Sequence, residues 1–399
     1  MSVEYLRPPS LGDLRPSRDA FTYVEKGMRF IGWMPPSRDH PKYWSYCAYA
    51  FLVTGLAGAY MPFGFFLSYF VNFSGFTPGD FLTSIQVAFN SACLGVKLIL
   101  ILPNLWRFEQ LKQLLDILDR PCIQEGAGEV IHRCVARCNF IYMVYQTAYT
   151  SYTVLTCASS FLTGSTPWGI YIPFVDSHSS KQAFLIAACI ESFMGAAAVI
   201  MDQFIDVYPV IFGIILRTHM KLLIARVERL RRGQSQSDDE EYAKLVNCIK
   251  DHKNILHRFS NDIRPLVTGP IFAQFLSIGL SLGLAMVNLM FFSTIWTGMA
   301  TFVFIMVLMI ETFPFCFISE LIADDCIDLT HAIFHSDWVS ASKRYKATLA
   351  FFLHQTQQPI VFIAGGIFPI CMRTNIEMAK LAFSVVTIVK QMNIVEKLK

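Results

Sequence analysis

The chain has 399 residues, of which 54% are hydrophobic and 16% charged, with a net charge of +3. A soluble domain of this size carries about 25% charged residues, so an ordinary water-solvated globule is excluded. Eleven scattered cysteines argue against a disulfide framework, and no nucleic-acid partner is expected from so small a net charge.

Residues 1–42 are polar and rich in Pro and Arg, without the apolar core and cleavage site of a signal peptide, and form a cytosolic N-terminal segment. Uncharged runs then cover Tyr43 to Gly79, Asn139 to Val175 and Pro265 to Ile310. A membrane helix needs about 20 apolar residues. Seven spans are predicted, at about 44–70, 81–102, 138–162, 183–214, 267–292, 296–320 and 375–395. Transmembrane helices 1–6 and their connections fill 43–320.

The connection 217–265 reads as helix rather than loop. Arg217 to Arg232 continues the fourth span, Gly233 to Gln236 breaks it, and Ser237-Asp238-Asp239-Glu240 is a capping box. Tyr242, Leu245, Ile249, His252, Leu256, Phe259 and Ile263 then recur at helical spacing. Such a stripe has to be covered, by 320–335, by 343–358 or by a neighbouring subunit. Segment 321–372 continues this cytosolic anchor, with an amphipathic helix at 343–358 and a bend at 360–372 around Gly365, Gly366 and Pro369. A pore-lining seventh helix and a short extracellular tail occupy 373–399.

Lysine and arginine set the expected orientation. The first 42 residues hold seven and 217–265 holds eleven, whereas 71–80 holds none and 163–182 only Lys181. The N-terminus is therefore placed in the cytosol and, with an odd number of spans, the C-terminus outside. The sequon at Asn72 falls in the first outer loop as a candidate glycosylation site. That orientation is opposite to rhodopsin-like receptors, whose acidic-Arg-Tyr and Asn-Pro-x-x-Tyr motifs are also missing.

Charged residues inside spans need protein or water as partners. Glu191, Asp202, Asp206 and Glu311 are of this kind, and Lys97 is placed to pair with one of them. Tyr145, Tyr149 and Tyr152 share one face of the third span, an arrangement that suits either a ligand wall or helix packing. Asp324, Asp328, His331 and His335 also share a helix face; they read as a solvated surface, and no metal or other cofactor is expected. No nucleophile–base pair or phosphate-cradling loop is found, so the chain is read as a non-enzyme.

In the C-terminal third, Thr312-Phe313-Pro314-Phe315-Cys316, Asp324-Asp325, Ile333-Phe334, Trp338, Arg344-Tyr345-Lys346, Gln357-Gln358-Pro359, Gly365-Gly366-Ile367-Phe368-Pro369 and Ala382 to Thr387 resemble the insect odorant receptor family, in its fly-type tuning subunits. Ile31-Gly32-Trp33, Phe81 to Ser84 and Arg264-Pro265 extend the likeness over nearly the whole chain. The resemblance implies an odorant-gated, non-selective cation channel, working as a heterotetramer with the odorant receptor co-receptor in the plasma membrane of olfactory neuron dendrites. It implies a pocket for small neutral volatiles between the second, third, fourth and sixth spans. Val87, Asn90, Ser91, Tyr145, Tyr149, Tyr152, Glu191 and Met194 are the candidate ligand contacts. It also implies that the last span lines the pore, where Lys390, Gln391, Ile394 and Val395 are the candidates. Gln391 is the polar lining residue and Ile394 with Val395 a hydrophobic constriction; Lys390 either lines the mouth or snorkels to headgroups. Membrane lipid and permeant cations are the other expected partners. A gustatory-type channel, and less so a transporter, are the alternative readings.

Overall fold

The computed structural model describes residues 15–71, 76–177, 179–231 and 237–391. The fold is all-α. A turn of 3₁₀ helix at Ser17–Phe21 leads into α1 (Thr22–Ile31), followed by α2 (Tyr43–Gly55), a π turn at Leu56–Tyr60 and α3 (Met61–Val71). Then come α4 (Pro78–Ile101), α5 (Trp106–Gln124), α6 (Gly128–Thr163) and α7 (Lys181–Glu228). After α8 (Asp238–Lys253) and a second π turn at Asn254–Phe259 follow α9 (Ser260–Phe291), α10 (Ile295–Phe334), α11 (Lys343–Thr356) and α12 (Met372–Gln391).

Helix starts follow local chemistry. Thr77, Ser180, Ser237, Thr294 and Ser342 are N-caps whose hydroxyls accept a backbone N–H from the first turn. The capping box expected at Ser237 appears as a hydroxyl cap, its oxygen accepting from the Glu240 N–H.

Long helices cover each of the seven stretches expected to span. Five, Tyr43–Val71, Pro78–Asn104, Lys181–Glu228, Ser260–Phe291 and Ile295–Phe334, are long and apolar enough to cross a membrane by composition. The third and seventh, α6 and α12, are more polar, with the tyrosines of α6 and Arg373, Glu377, Lys380 and Lys390 on α12. A polar helix in hydrocarbon needs protein or water on its polar face. Accordingly α6 packs against α7 and α10, and α12 against α9 and α10. Outside the bundle Phe51, Phe66, Phe70 and Ile99 are exposed, as hydrocarbon-solvated surfaces require.

The bundle has two unlike ends. At one, the described residues between α6 and α7 and between α9 and α10 are non-helical; this is the short-loop end. At the other the helices run on: α7 has 48 residues, about 70 Å at 1.5 Å per residue, more than twice the hydrocarbon thickness. There α7, α8, α10 and α11 form a helical layer. Leu245, Cys248, His252 and Phe259 are buried, with His252 edge-on to Phe352 at 5.4 Å. Arg217 pairs with Asp325 at 2.8 Å, and Arg226 bridges Glu125 and Asp251. The stripe is covered by α7 and α11 and also by α5, which the sequence reading left unassigned. The α5 signal was present: Leu111, Leu114, Leu115 and Leu118 fall on one buried face.

The N-terminal segment is likewise more structured than its polar composition suggested. Phe21 is fully buried, wedged 5.1 Å from Phe108 and 4.5 Å from Phe212, and Val24, Met28, Ile31 and Trp33 join the core. Between α11 and α12, the bend at 360–372 is a small hairpin, β1 (Ile363–Ala364) antiparallel to β2 (Phe368–Pro369). Gly365 and Gly366 turn it with φ of +57° and +73°, a region that favours glycine.

Candidate ligand cavity

Two adjacent cavities lie near the short-loop end, walled by α4, α6, α7 and α10. The loop-side cavity, of about 120 Å³, is roofed by the 164–177 segment and lined by Gln86, Tyr152, Thr156, Trp168, Glu191, Thr301 and Phe304 among others. The deep cavity, of about 40 Å³, includes Val87, Asn90, Ser91, Leu94, Ala198 and Asp202 in its wall. Tyr152, Trp168 and Phe304 border both.

The roof is tied to the bundle by one carboxylate. Glu191, buried in α7, accepts the backbone N–H groups of Trp168 at 2.9 Å, Gly169 at 3.1 Å and Ile170 at 3.0 Å. A buried carboxylate is tolerated because these donors replace its water. The knot drives the Trp168 side chain down between the helices, where its indole N–H donates to the Tyr152 hydroxyl at 3.2 Å. Gly195 makes room: a Cβ there would lie 2.1 Å from the indole ring. Tyr152 in turn lies against Phe304, ring centroids 5.2 Å apart.

Beneath the deep cavity is a buried charge cluster. Lys97 of α4 donates to Asp202 at 2.8 Å and Asp206 at 2.9 Å, both on α7. Tyr149 donates to Asp206 at 2.8 Å. The carboxylate of Glu311 on α10 joins them, accepting from Gln274 of α9. Among the described residues, Asp202, Asp206 and Glu311 are the one group of three acids close enough to share a cation, within 4.8 Å, and the Lys97 ammonium already stands among them. One residue further along α10, Thr312 donates to Asn375 of α12 at 3.3 Å. The polar core thus runs from the floor of the deep cavity, at Asp202, towards the last helix.

The candidate contacts divide. Val87, Asn90, Ser91 and Tyr152 line the deep cavity, while Tyr152 and Glu191 line the loop-side one. Tyr145, Tyr149 and Met194 are buried and line neither; Tyr145 donates to the Ile310 carbonyl at 2.7 Å and Tyr149 to Asp206. For these two tyrosines, packing and hydrogen bonding across helices account for the stripe. Gln86, Thr156, Trp168 and Phe304 were missed. Trp168 carried a signal, as a large aromatic in a loop between spans, but the 295–310 stretch of α10 is uncharged and nothing distinguishes Phe304 within it. On α12, Lys390 and Gln391 are exposed; Ile394, Val395 and Asn72 lie outside the described residues. Asp324, Asp328 and His331 are exposed on α10, and His335 is exposed at its C-terminal cap.

Comparison with known proteins gives this architecture a family. A family model described as 7tm Odorant receptor matches residues 77–383. Odorant receptor 42b of Drosophila melanogaster is 45% identical over the full length of both chains. Odorant receptor 59b of the same organism is 42% identical over 98% of each chain. Among solved structures, the insect olfactory receptor OR5 from Machilis hrabei shares the fold with a TM-score of 0.78, over 94% of this chain and 98% of that one, at 16% identity. The same receptor in complex with eugenol has a TM-score of 0.76. With matches that span its length and a fold held in common, the chain belongs to the 7tm odorant receptor family.

Proposed function

We propose that this chain is the ligand-specific subunit of an odorant-gated, non-selective cation channel in the plasma membrane of olfactory neurons, opening in a heteromer with the odorant receptor co-receptor. The observation that carries the reading is the pair of cavities near the short-loop end, joined through the polar core to α12. The short-loop end faces outward and the helical layer inward, in keeping with the lysine and arginine distribution. Val87, Asn90, Ser91, Tyr152 and Glu191 form the walls around the odorant, and Tyr145, Tyr149 and Met194 support them from behind. The exposed Lys390 and Gln391 of α12 meet the pore in the assembled channel, with Ile394 and Val395 beyond them. Asn72 is the glycosylation site of the first outer loop.

A volatile ligand suits these walls. Both nearby buried carboxylates are already paired, Glu191 with three N–H groups and Asp202 with Lys97, so no free charge calls for an ionic ligand. The experiment is heterologous expression with and without the co-receptor, recording current during a screen of neutral volatiles. Odorant-evoked current is expected from the pair and not from the chain alone. Full-sized current from the chain alone overturns the partner assignment, and silence of the pair across a broad panel overturns the receptor reading.

A further inference from the structure

Trp168 stands between the two cavities. It comes from the roof rather than from the bundle, it is only 2% exposed, and its ring borders both spaces. Tyr152 and Phe304 complete the divider from α6 and α10. Without the indole, the divider would keep only Tyr152 and Phe304, with a gap where the ring stood. We infer that Trp168 is a partition that sets the length of ligand the receptor accepts, confining the odorant to the loop-side cavity and closing the deep one to longer chains. This rests on the reading of the chain as an odorant receptor and deepens it.

The physical case has three parts. Trp168 is held twice, its backbone N–H by the Glu191 carboxylate and its indole N–H by the Tyr152 hydroxyl, so it is not a freely swinging side chain. The volume beyond it offers an alkyl tail an apolar strip of Met61, Val87, Leu94 and Ala198, beside the polar Asn90, Ser91 and Asp202. Each added methylene buried there is worth roughly 0.8 kcal/mol, about a fourfold gain in affinity per carbon, so a longer chain would gain if it could enter. The partition withholds that gain.

The chemistry of the walls also narrows the ligand class. Gln86 and Thr156 at the loop-side cavity and Ser91 at the deep one carry buried polar atoms without a hydrogen-bond partner among the described residues. The charged side chains are engaged: Glu191 by the roof, Asp202 by Lys97, and Asp80 near the rim by the Thr77 hydroxyl. The fit is a neutral molecule with a short alkyl chain and one oxygenated group, such as a short ester.

The test is a homologous series of alkyl acetates, from methyl to octyl, applied to the wild-type receptor and to Trp168→Ala, each co-expressed with the co-receptor and checked for surface level. Wild type is expected to favour short chains and lose sensitivity steeply with length. Trp168→Ala should move the optimum by two or more carbons and improve the longest responsive ester at least tenfold relative to the shortest. Trp168→Phe, a smaller apolar plug, should move it less, and it decides the question if the alanine variant fails to reach the surface. A conducting variant with an unchanged ranking along the series overturns the partition while leaving the receptor assignment standing. Absence of ester or other odorant current from the wild-type pair overturns the receptor reading and the partition with it.

Discussion

A single ammonium holds much of the bundle's polar core. Lys97 is 1% exposed and donates to two carboxylates at hydrogen-bond distance. Breaking a buried ion pair by removing one partner costs about 3–5 kcal/mol, because the other charge is left without compensation. Lys97→Met should therefore lower the thermal midpoint of the purified protein sharply. The triple variant Lys97→Met, Asp202→Asn, Asp206→Asn should recover most of the loss, since it also removes the stranded charges. A single Lys97→Met variant as stable as wild type would show that the cluster is not an energetic unit. This pairing was legible in the sequence, because charges inside apolar spans demand partners; that two aspartates share one lysine was not.

Among elements, α12 is the one whose role depends on its neighbours. It is too polar to qualify as a span by composition, and its Asn375 accepts from Thr312 of α10, beside Glu311 of the charge cluster. This bond joins the last helix to α10 next to the charge cluster, and the Met372 N–H donates to Glu320 of α10 at 3.0 Å as a second link. If motion passes along it, Thr312→Val and Asn375→Leu should each shift the odorant concentration for half-opening several-fold at unchanged surface level. The double variant should then do no more than one of them, because contacting residues are non-additive by about 0.5–3 kcal/mol. Full additivity would disconnect the two helices. The α8–α9 region shows how far periodicity alone carries: Leu245, Phe259 and Ile263 are buried as their spacing demanded. Its covering partner α5 has no long apolar run to mark it, although its leucines repeat at helical spacing.

For the whole molecule, orientation is the decisive expectation. A tag placed after Lys399 should bind antibody on intact cells, and one before Met1 only after permeabilisation. The reverse pattern would turn the cavities towards the cytosol and remove the case for reception of external volatiles. The partition of Lys and Arg carries this expectation, with the lysine- and arginine-rich connection 217–265 at the end built of extended, ion-paired helices.

Sequence alone determined the class and the long helices with their breaks, though not α1 or α5. Those depend on local quantities: runs of apolar residues long enough for a bilayer, caps, glycines, and the spacing of a stripe. It also identified four of the deep cavity's lining residues, Val87, Asn90, Ser91 and Tyr152, through the family resemblance. Tertiary structure alone decided that Tyr145 and Tyr149 face other helices, that Glu191 ties down the roof, and that Trp168 divides the space in two. Helical spacing shows which residues share a face but not what that face meets. Only the packed bundle brings residues from α4, α6, α7, α10 and the roof around one volume.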